Sequence, residues 1–147
     1  MQITYKGDYS LKTILYLATQ YHKNVVTISE LSERLDIPVK FLEQILLELK
    51  RGGFVDSKRG INGGYFLAKP PKDIKVGDVV RFVDGPIEPI ACANTNKTYK
   101  GCRDINRCVF RNLWVEVAKS ISDVIDNVNF EDLRNKYQHQ DGFNYYI

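Results

Sequence analysis

The sequence predicts a mainly α-helical fold with one small β-hairpin, and three observations support this. Two short amphipathic patterns, residues 28–35 and 39–51, are separated by a tight turn at Asp36-Ile37-Pro38. Two strand-like runs then flank the glycine-rich segment Gly60–Gly64, and a longer heptad pattern starts at Phe110. Two helices followed by a glycine-tipped hairpin are typical of a winged helix-turn-helix domain. The heptad pattern predicts a separate, long dimerisation helix.

Composition limits the kind of protein this can be. The 147 residues are 44% hydrophobic and 27% charged, which fits one domain with an appended element. There is no apolar run long enough to span a membrane and no signal-peptide pattern at the N-terminus, so we expect a soluble, cytoplasmic protein without membrane contact. Residues 1–72 hold 11 Lys and Arg against 7 Asp and Glu, a net charge of +4, whereas residues 73–147 carry −1. The positive charge in the front half fits a polyanionic partner, although a solvated face would look the same.

The first helical pattern runs from Gly7-Asp8 to about Tyr21. Its apolar residues recur at three- and four-residue spacing and predict one buried stripe: Leu11, Ile14, Leu15 and Ala18. Asp8 is expected to cap the first turn, where unpaired N–H groups favour a carboxylate.

The two helices of the central motif have clear start and stop signals. Thr27 and Glu30 predict a capping box for the first helix. The second helix is expected from about Val39 to Arg51, where Gly52-Gly53 provides a left-handed stop. It buries one side and leaves the other exposed, with Lys40, Glu43, Gln44, Leu47 and Lys50. An ordinary helical hairpin would give the same two patterns, but the hairpin that follows favours the winged form.

This arrangement predicts binding to double-stranded DNA. A major groove admits one helix, where Gln44 could bond adenine and Glu43 could accept from a cytosine amino group. Lys and Arg side chains at the helix end and wing would hold phosphates, and Arg59 could enter a narrow minor groove. The predicted contacts are Ser29, Lys40, Glu43, Gln44, Lys50, Arg51, Lys58, Arg59, Asn62 and Gly63.

The chain divides at Gly85-Pro86, which ends a short valine-rich helix. We expect residues 1–86 to form the winged helix-turn-helix domain and residues 87–108 a cysteine-bearing loop. Residues 109–137 are expected to form the dimerisation helix and a short capping helix, with a tail at 138–147. The aromatic end of that tail, 143–147, is expected to pack.

All three cysteines lie in the loop, spaced Cys92-x9-Cys102-x5-Cys108. An odd number in a cytosolic protein favours a metal or redox site over disulfides. Thiolates commonly hold iron–sulfur clusters, which would leave a fourth ligand position open. A zinc site, or three unrelated surface residues, remains an alternative. An enzyme with a cysteine nucleophile is not favoured, because no His or acidic residue has a suggestive spacing.

The dimerisation seam is predicted from steps of four and three residues. Its members are Phe110, Trp114, Val117, Ile121, Val124 and Val128. The same stripe could instead pack on its own domain. A symmetric homodimer, however, would place two DNA-binding domains about 34 Å apart, on successive turns of a palindromic operator.

Several segments resemble the IscR/NsrR/CymR-type bacterial winged-helix regulators, and most closely the iron–sulfur (IscR-like) members. They are Tyr5–Tyr9, Phe41–Ile45, Arg59–Tyr65, Asp84–Ile87 and Asn129–Leu133, so the resemblance covers essentially the whole chain. It implies a homodimeric transcription regulator, not an enzyme, whose DNA affinity depends on an iron–sulfur cluster. It also implies control of cluster assembly genes.

The resemblance assigns Cys92, Cys102 and Cys108 as cluster ligands, and Glu43, Gln44 and Arg59 as DNA contacts. The first cysteine gap is longer than is usual in IscR and NsrR, and Arg111 stands where IscR has a ligand histidine. Asp8, from either subunit, is therefore our hypothesis for the fourth ligand, as in NsrR-like members. We expect a 2Fe–2S rather than a 4Fe–4S cluster. The alternatives are a nitric oxide or redox sensor with a 4Fe–4S cluster, and a cluster-free, CymR-like regulator of cysteine metabolism acting through a protein partner.

Overall fold

Residues 1–140, which the computed structural model describes, form six α-helices and one antiparallel pair of strands. The helices are α1 (Tyr5–Thr19), α2 (Ile28–Leu35), α3 (Val39–Arg51), α4 (Val76–Asp84), α5 (Val109–Ile125) and α6 (Phe130–Gln140). The strands are β1 (Val55–Lys58) and β2 (Gly64–Leu67). Single turns of 3₁₀ helix lie at Pro71–Asp73, Ala91–Ala93 and Ile105–Arg107. The aromatic segment 143–147, which we expected to pack, lies outside the described residues.

The hydrophobic core lies where α1, α2, α3, α4 and the hairpin meet. α3 begins and ends as predicted and contributes Leu42, Ile45, Leu46 and Leu49. The buried face of α1 is turned relative to the prediction. Leu17 joins Ile14 and Ala18 in the core, while Leu11 and Leu15 are only half-buried. The face is turned because α1 packs against α4 on one side and α6 on another, neither of which can be located from periodicity alone.

The start of α1 differs from the prediction that Asp8 caps it. The cap is Thr4, whose Oγ1 accepts a hydrogen bond from the Gly7 N–H at 3.0 Å. Thr4 is itself held by Asp84 at the end of α4, which accepts from the Thr4 N–H at 3.1 Å and from its hydroxyl at 2.5 Å. Asp8 lies inside the first turn and pairs with Lys12 at 2.7 Å. The cap prediction for Asp8 was wrong because α1 begins at Tyr5, so that the capping position falls to Thr4, which Asp84 of the remote helix α4 holds in place.

The predicted capping box of α2 is only half formed. Thr27 Oγ1 accepts from the Glu30 N–H at 3.2 Å, as expected. The Glu30 carboxylate instead accepts from the hydroxyl of Tyr16 in α1, at 2.8 Å. Burial and this hydrogen bond raise the pKa of Tyr16 to about 12. The carboxylate therefore joins α1 to α2 instead of closing the capping box.

The wing is attached to the helices at its base. Val55 faces Leu67 and Lys58 faces Gly64 in the strand pair. Val26, just before α2, adds a third short edge by exchanging hydrogen bonds with Tyr65 at 2.9 and 2.7 Å. This bridge holds the wing beside the helix-turn-helix, so that the tip and α3 lie on one rigid unit.

α5 ends earlier than the predicted seam. Its last residue is Ile125, and Asp126 caps it while bound by Arg81 of α4. Val128 therefore lies beyond the helix, and its carbonyl accepts from the Val76 N–H at 3.0 Å. The assignment of Val128 to the helical seam was wrong, because the chain turns back at this point to meet α4.

α6 returns to the winged-helix core, although the sequence groups it with the dimerisation helix. Asn129 caps it, because its side-chain oxygen accepts from the Asp132 N–H at 2.9 Å. Phe130 is fully buried in the main core, and its N–H donates to the Ile74 carbonyl at 3.0 Å. The C-terminal end of α5 is thus connected back to the winged-helix core through α4 and α6.

Candidate nucleic-acid interface and cysteine loop

The outer face of α3 carries the polar residues that the sequence assigned to DNA. Four buried leucine and isoleucine side chains fix the inner face of this helix. At 3.6 residues per turn the opposite side is left open to solvent. The exposed residues on that side include Lys40, Glu43, Gln44, Lys50 and Arg51. The helix therefore presents donors and acceptors on a face that nothing within residues 1–140 covers.

The turn between α2 and α3 fixes the angle at which α3 is presented. Asp36 adopts a left-handed conformation with φ of 52° and ends α2. The Ser32 hydroxyl donates to the Ile37 carbonyl at 2.7 Å, and the Ile37 N–H donates to the Ser32 carbonyl at 3.3 Å. Ser29 lies exposed in the first turn of α2, where helix N–H groups favour a phosphate.

The wing tip is exposed and its backbone shape requires glycine. Lys58, Arg59 and Asn62 are all exposed. Gly60 has a φ of 110°, and the Gly63 N–H donates to its carbonyl at 3.0 Å. A side chain at Gly63 would collide with the Lys58 carbonyl. The tight tip therefore leaves both basic side chains open to solvent, and residues 61–63 line a groove with the segment between α1 and α2.

Lys50 has a role inside the protein that the sequence did not reveal. Its ammonium group donates to Ser57 Oγ at 2.7 Å and pairs with Asp56 at 3.3 Å. The Ser57 backbone N–H, followed by Lys50, holds the pKa of Asp56 below its usual range. Lys50 thus joins α3 to β1, and its contact with DNA remains a prediction.

A groove beside α3 was not predicted from the sequence. Tyr5, Tyr9 and Phe41 line it together with Pro38 and Ile45, and it encloses about 380 Å³. At its edge Lys6 pairs with Glu48 of α3 at 3.2 Å. No spacing rule links Tyr5 to Phe41, because the groove arises from the packing of two helices remote in sequence.

The cysteine loop is anchored at one end and exposed at the other. Cys92 is buried in the turn Ala91–Ala93, whereas Cys102 is exposed and Cys108 half-buried. Arg111 in the first turn of α5 donates from Nε to the Cys92 carbonyl at 3.0 Å. Arg111 therefore links the cysteine loop to the start of α5.

The structure does not bring the predicted metal ligands together. Within residues 1–140, no group of three or more His, Cys, Asp or Glu side chains lies close enough to share a metal ion. All three thiols are free, and Asp8 is engaged with Lys12. Three thiols in one loop suit an iron–sulfur cluster chemically, but ligation by all three would require the loop to change its conformation.

α5 exposes an apolar face whose position differs from the predicted seam. Phe110 and Val124 are 65% and 66% exposed, while Trp114, Val117 and Ile121 are half-buried. Two apolar residues outside the predicted heptad positions, Val109 and Leu113, are also well exposed. The exposed apolar face therefore comprises Val109, Phe110, Leu113, Val117 and Val124.

The side of α5 that carries Arg111, Val115, Ala118 and Ser122 is the one that meets its own chain. The heptad steps alone do not indicate which side this is. Among the helices of residues 1–140, none combines the length and apolar character that a bilayer crossing needs.

Known proteins with similar sequences are transcription regulators. An rrf2-like HTH-type transcriptional regulator from Rhodobacter capsulatus is 39% identical over 137 residues, covering 89% of this chain and 91% of its own. The HTH-type transcriptional regulator IscR of Erwinia tasmaniensis is 33% identical over 138 residues, covering 94% and 81%. These names agree with the expectation that the chain is not an enzyme.

Solved structures give the same fold. CymR, the global cysteine regulator of B. subtilis, superposes with a TM-score of 0.77 at 27% identity, covering 92% of this chain and 98% of its own. IscR of T. potens superposes with a TM-score of 0.75 at 29% identity, covering 93% and 88%. The model of the Rrf2 family, described as iron-dependent transcriptional regulators, matches residues 3–136. With a winged-helix fold and an exposed polar face on α3, this chain belongs to the Rrf2 family of DNA-binding transcription regulators.

Proposed function

We propose that this protein acts as a cytoplasmic homodimer that recognises a palindromic operator and adjusts its DNA affinity to iron–sulfur cluster status. Control of iron–sulfur assembly genes is the expected biological role. The observation that carries the proposal is the exposed polar face of α3 together with an exposed basic wing tip, on a chain whose three cysteines all lie in the loop that leads into α5.

DNA recognition is divided between α3 and the wing. Glu43 and Gln44 would meet base edges in the major groove, and Arg59 would enter the adjacent minor groove. Lys40, Arg51 and Lys58 would hold phosphates, which fixes the register without specifying sequence. Ser29, Lys50, Asn62 and Gly63 are proposed as further backbone contacts.

Dimerisation would bury the exposed apolar face of α5 against the same face of a second chain. Each side chain that leaves water contributes about 25 cal/mol per Å² of apolar area. A two-fold axis through this helix makes the interface self-complementary and gives the two α3 helices a fixed separation. Trp114 and Ile121, which are half-buried, would then lie at the edge of the interface.

The cysteine loop is the proposed sensor. Cys92, Cys102 and Cys108 would hold the cluster, with Asp8 of either chain as the proposed fourth ligand. The three cysteines would bind as thiolates and Asp8 as a carboxylate, because iron is ligated by the deprotonated forms of these side chains. Because the thiols are apart in this structure, their convergence would refold the segment between Cys92 and α5. Arg111, which bonds the Cys92 carbonyl, would transmit that change to the dimer helix. The switch works only if the two loop conformations differ in DNA affinity.

The proposal is tested by purifying the protein without oxygen and recording its visible spectrum. We expect thiolate-to-iron absorption, about two iron and two sulfide per chain for a 2Fe–2S centre, and loss of both in the triple Cys→Ala variant. Operator affinity should change on cluster removal in the native protein and stay constant in the variant. A colourless native protein after reconstitution with iron and sulfide, or identical operator binding with and without the cluster, would contradict cluster sensing.

A count of four iron and four sulfide would instead favour the nitric oxide or redox sensor. In that case nitric oxide should bleach the spectrum and alter DNA binding together.

A cluster-free regulator acting through a protein partner is the second candidate. It is favoured by the separated thiols and by the similarity to the CymR structure. It predicts that the triple Cys→Ala variant binds the operator like the native protein, with or without iron, and that affinity changes only when a partner protein is added.

A further inference from the structure

Leu47 is an apolar side chain in the middle of the polar face of α3. It is 54% exposed. Its neighbours three and four positions away on the helix are Glu43, Gln44, Lys50 and Arg51, and all four are exposed. A single exposed leucine is ordinary on a protein surface. This one, however, lies among the side chains proposed to meet DNA.

The other exposed apolar residues of α3 have different surroundings. Phe41 lines the groove with Tyr5 and Tyr9, so its ring has apolar neighbours within the chain. Val39 is the first residue of the helix, next to the turn. Leu47 points away from the core, since it lies roughly 160° around the helix axis from buried Leu49. Leu47 therefore faces the same binding partner as the polar side chains of α3.

The chemistry of the major groove offers one apolar group to such a side chain. Base edges there present donors and acceptors, except for the 5-methyl group of thymine. We propose that Leu47 recognises a thymine methyl group in each operator half-site. This inference rests on the proposed function, in which α3 occupies the major groove, and adds a base preference that the polar residues do not supply.

The expected effect is modest and measurable. Burying one methyl-sized group contributes about 0.8 kcal/mol, which corresponds to about fourfold in affinity for one half-site. Two symmetric half-sites should give about 15-fold together. Replacing thymidine by deoxyuridine removes the methyl group and leaves base pairing unchanged, so it isolates this contact.

The test uses the full-length protein and a duplex obtained by in vitro selection with that protein. Each thymidine pair related by the palindrome is replaced by deoxyuridine, and affinities are measured by fluorescence anisotropy. We expect one position at which deoxyuridine weakens native binding about 15-fold. Leu47→Ala should weaken binding to the parent duplex by a similar factor and show no further loss at that position, whereas Leu47→Met should keep most of the effect.

Two controls separate this inference from the proposed function. Lys58→Ala should weaken binding to every duplex alike and keep the deoxyuridine effect. Circular dichroism melting checks that Leu47→Ala folds, as expected for an exposed helical position that accepts alanine. Leu47 is not the thymine contact if Glu43→Ala loses operator binding while Leu47→Ala keeps the deoxyuridine effect. The same conclusion follows if no deoxyuridine substitution changes the affinity of the native protein. If neither Glu43→Ala nor Leu47→Ala alters selective binding, the proposed role of α3 fails as well.

Discussion

At the scale of single residues, Asp84 connects the two ends of the winged-helix domain. It accepts hydrogen bonds from the backbone and the hydroxyl of Thr4, the residue that caps α1. A side chain at Gly7 would collide with the same carboxylate. The close approach of α1 and α4 therefore needs an acidic residue at one position and the smallest residue at the other. Both lie in segments that resemble the family.

Replacing Asp84 by alanine tests this connection. The change removes both acceptors of Thr4 and should lower the free energy of unfolding by about 1–2 kcal/mol, measured by urea denaturation. Glu33→Ala, which removes the same charge from an exposed position of α2, should stay within about 0.5 kcal/mol of the native protein. Equal losses in both variants would contradict a specific role for Asp84.

Glu43 and Lys58 should differ in the kind of DNA contact that they make. Glu43→Ala removes a base-edge acceptor and should cost about 1–3 kcal/mol of discrimination at one base pair per half-site. Lys58→Ala should weaken binding to all sequences alike and reduce the slope of log affinity against log salt by about one unit for each phosphate that is no longer bound. Competition titrations with single-base operator variants, repeated at several salt concentrations, distinguish the two. A sequence-independent loss in Glu43→Ala would rule out its base contact.

At the scale of elements, the C-terminal end of α5 is fixed to α4 by one ion pair. The Arg81 guanidinium donates to both oxygens of Asp126, at 2.7 and 2.8 Å. A side chain at Gly77 would collide with this carboxylate. The hydrogen bonds from Arg81 hold the pKa of Asp126 below its usual range, and those to Asp126 raise the pKa of Arg81. The pair thus sets the direction in which α5 leaves the domain.

This pair should make stability depend on acid pH. The pKa of Asp126 is lowered in the folded protein, so its contribution is complete above the ordinary value of 3.8 and is lost as the pH falls below that value through the folded-state pKa. Asp126→Asn should cost at most about 1 kcal/mol near neutral pH, because both side chains are partly exposed. The difference from the native protein should shrink towards zero as urea denaturation is repeated at pH values falling from about 4.

The matched control is Asp123→Asn, whose partner Lys119 lies one turn away in the same exposed helix. It should change stability by only a few tenths of a kcal/mol. A difference for Asp126→Asn that does not vary with pH would contradict the assigned ion pair.

The apolar face of α5 should be needed for dimerisation. Val117→Glu puts a charge in the middle of that face, and burying it without a partner is unfavourable. We expect a monomer by light scattering and a large loss of operator affinity. Asn112→Glu introduces the same charge on the opposite side of the helix and should remain dimeric. A dimeric Val117→Glu protein would move the interface away from α5.

At the scale of the whole molecule, two DNA-binding domains joined through α5 should measure the distance between half-sites. A dimer that contacts successive turns of DNA spans about 10 base pairs from centre to centre. Inserting about five base pairs between the half-sites of the selected duplex turns one of them to the far side of the helix. Operator affinity should fall to that of a single half-site in anisotropy titrations, and unchanged affinity would argue against a rigid dimer.

Much of the DNA-binding part could be predicted because its signals are local. α3 runs from Val39 to Arg51 as its apolar periodicity indicated, and Gly53 provides the left-handed stop with a φ of 74°. Gly60 and Gly63 of the wing likewise mark a tight turn, because only glycine fits the backbone there. The alternation of buried and exposed positions in α3 then determined which polar side chains face outward, since only one face of this helix can meet the core.

The sequence by itself therefore determined the winged helix-turn-helix, the outward residues of α3, and the concentration of thiols beside a long helix. Only the tertiary structure decided that Thr4 rather than Asp8 caps α1, that Val128 lies outside α5, and that the apolar face of α5 includes Leu113. It also decided that the cysteines stand apart in a single chain. The physical reason is the same in each case: these features depend on contacts between segments distant in sequence, which helix periodicity does not encode.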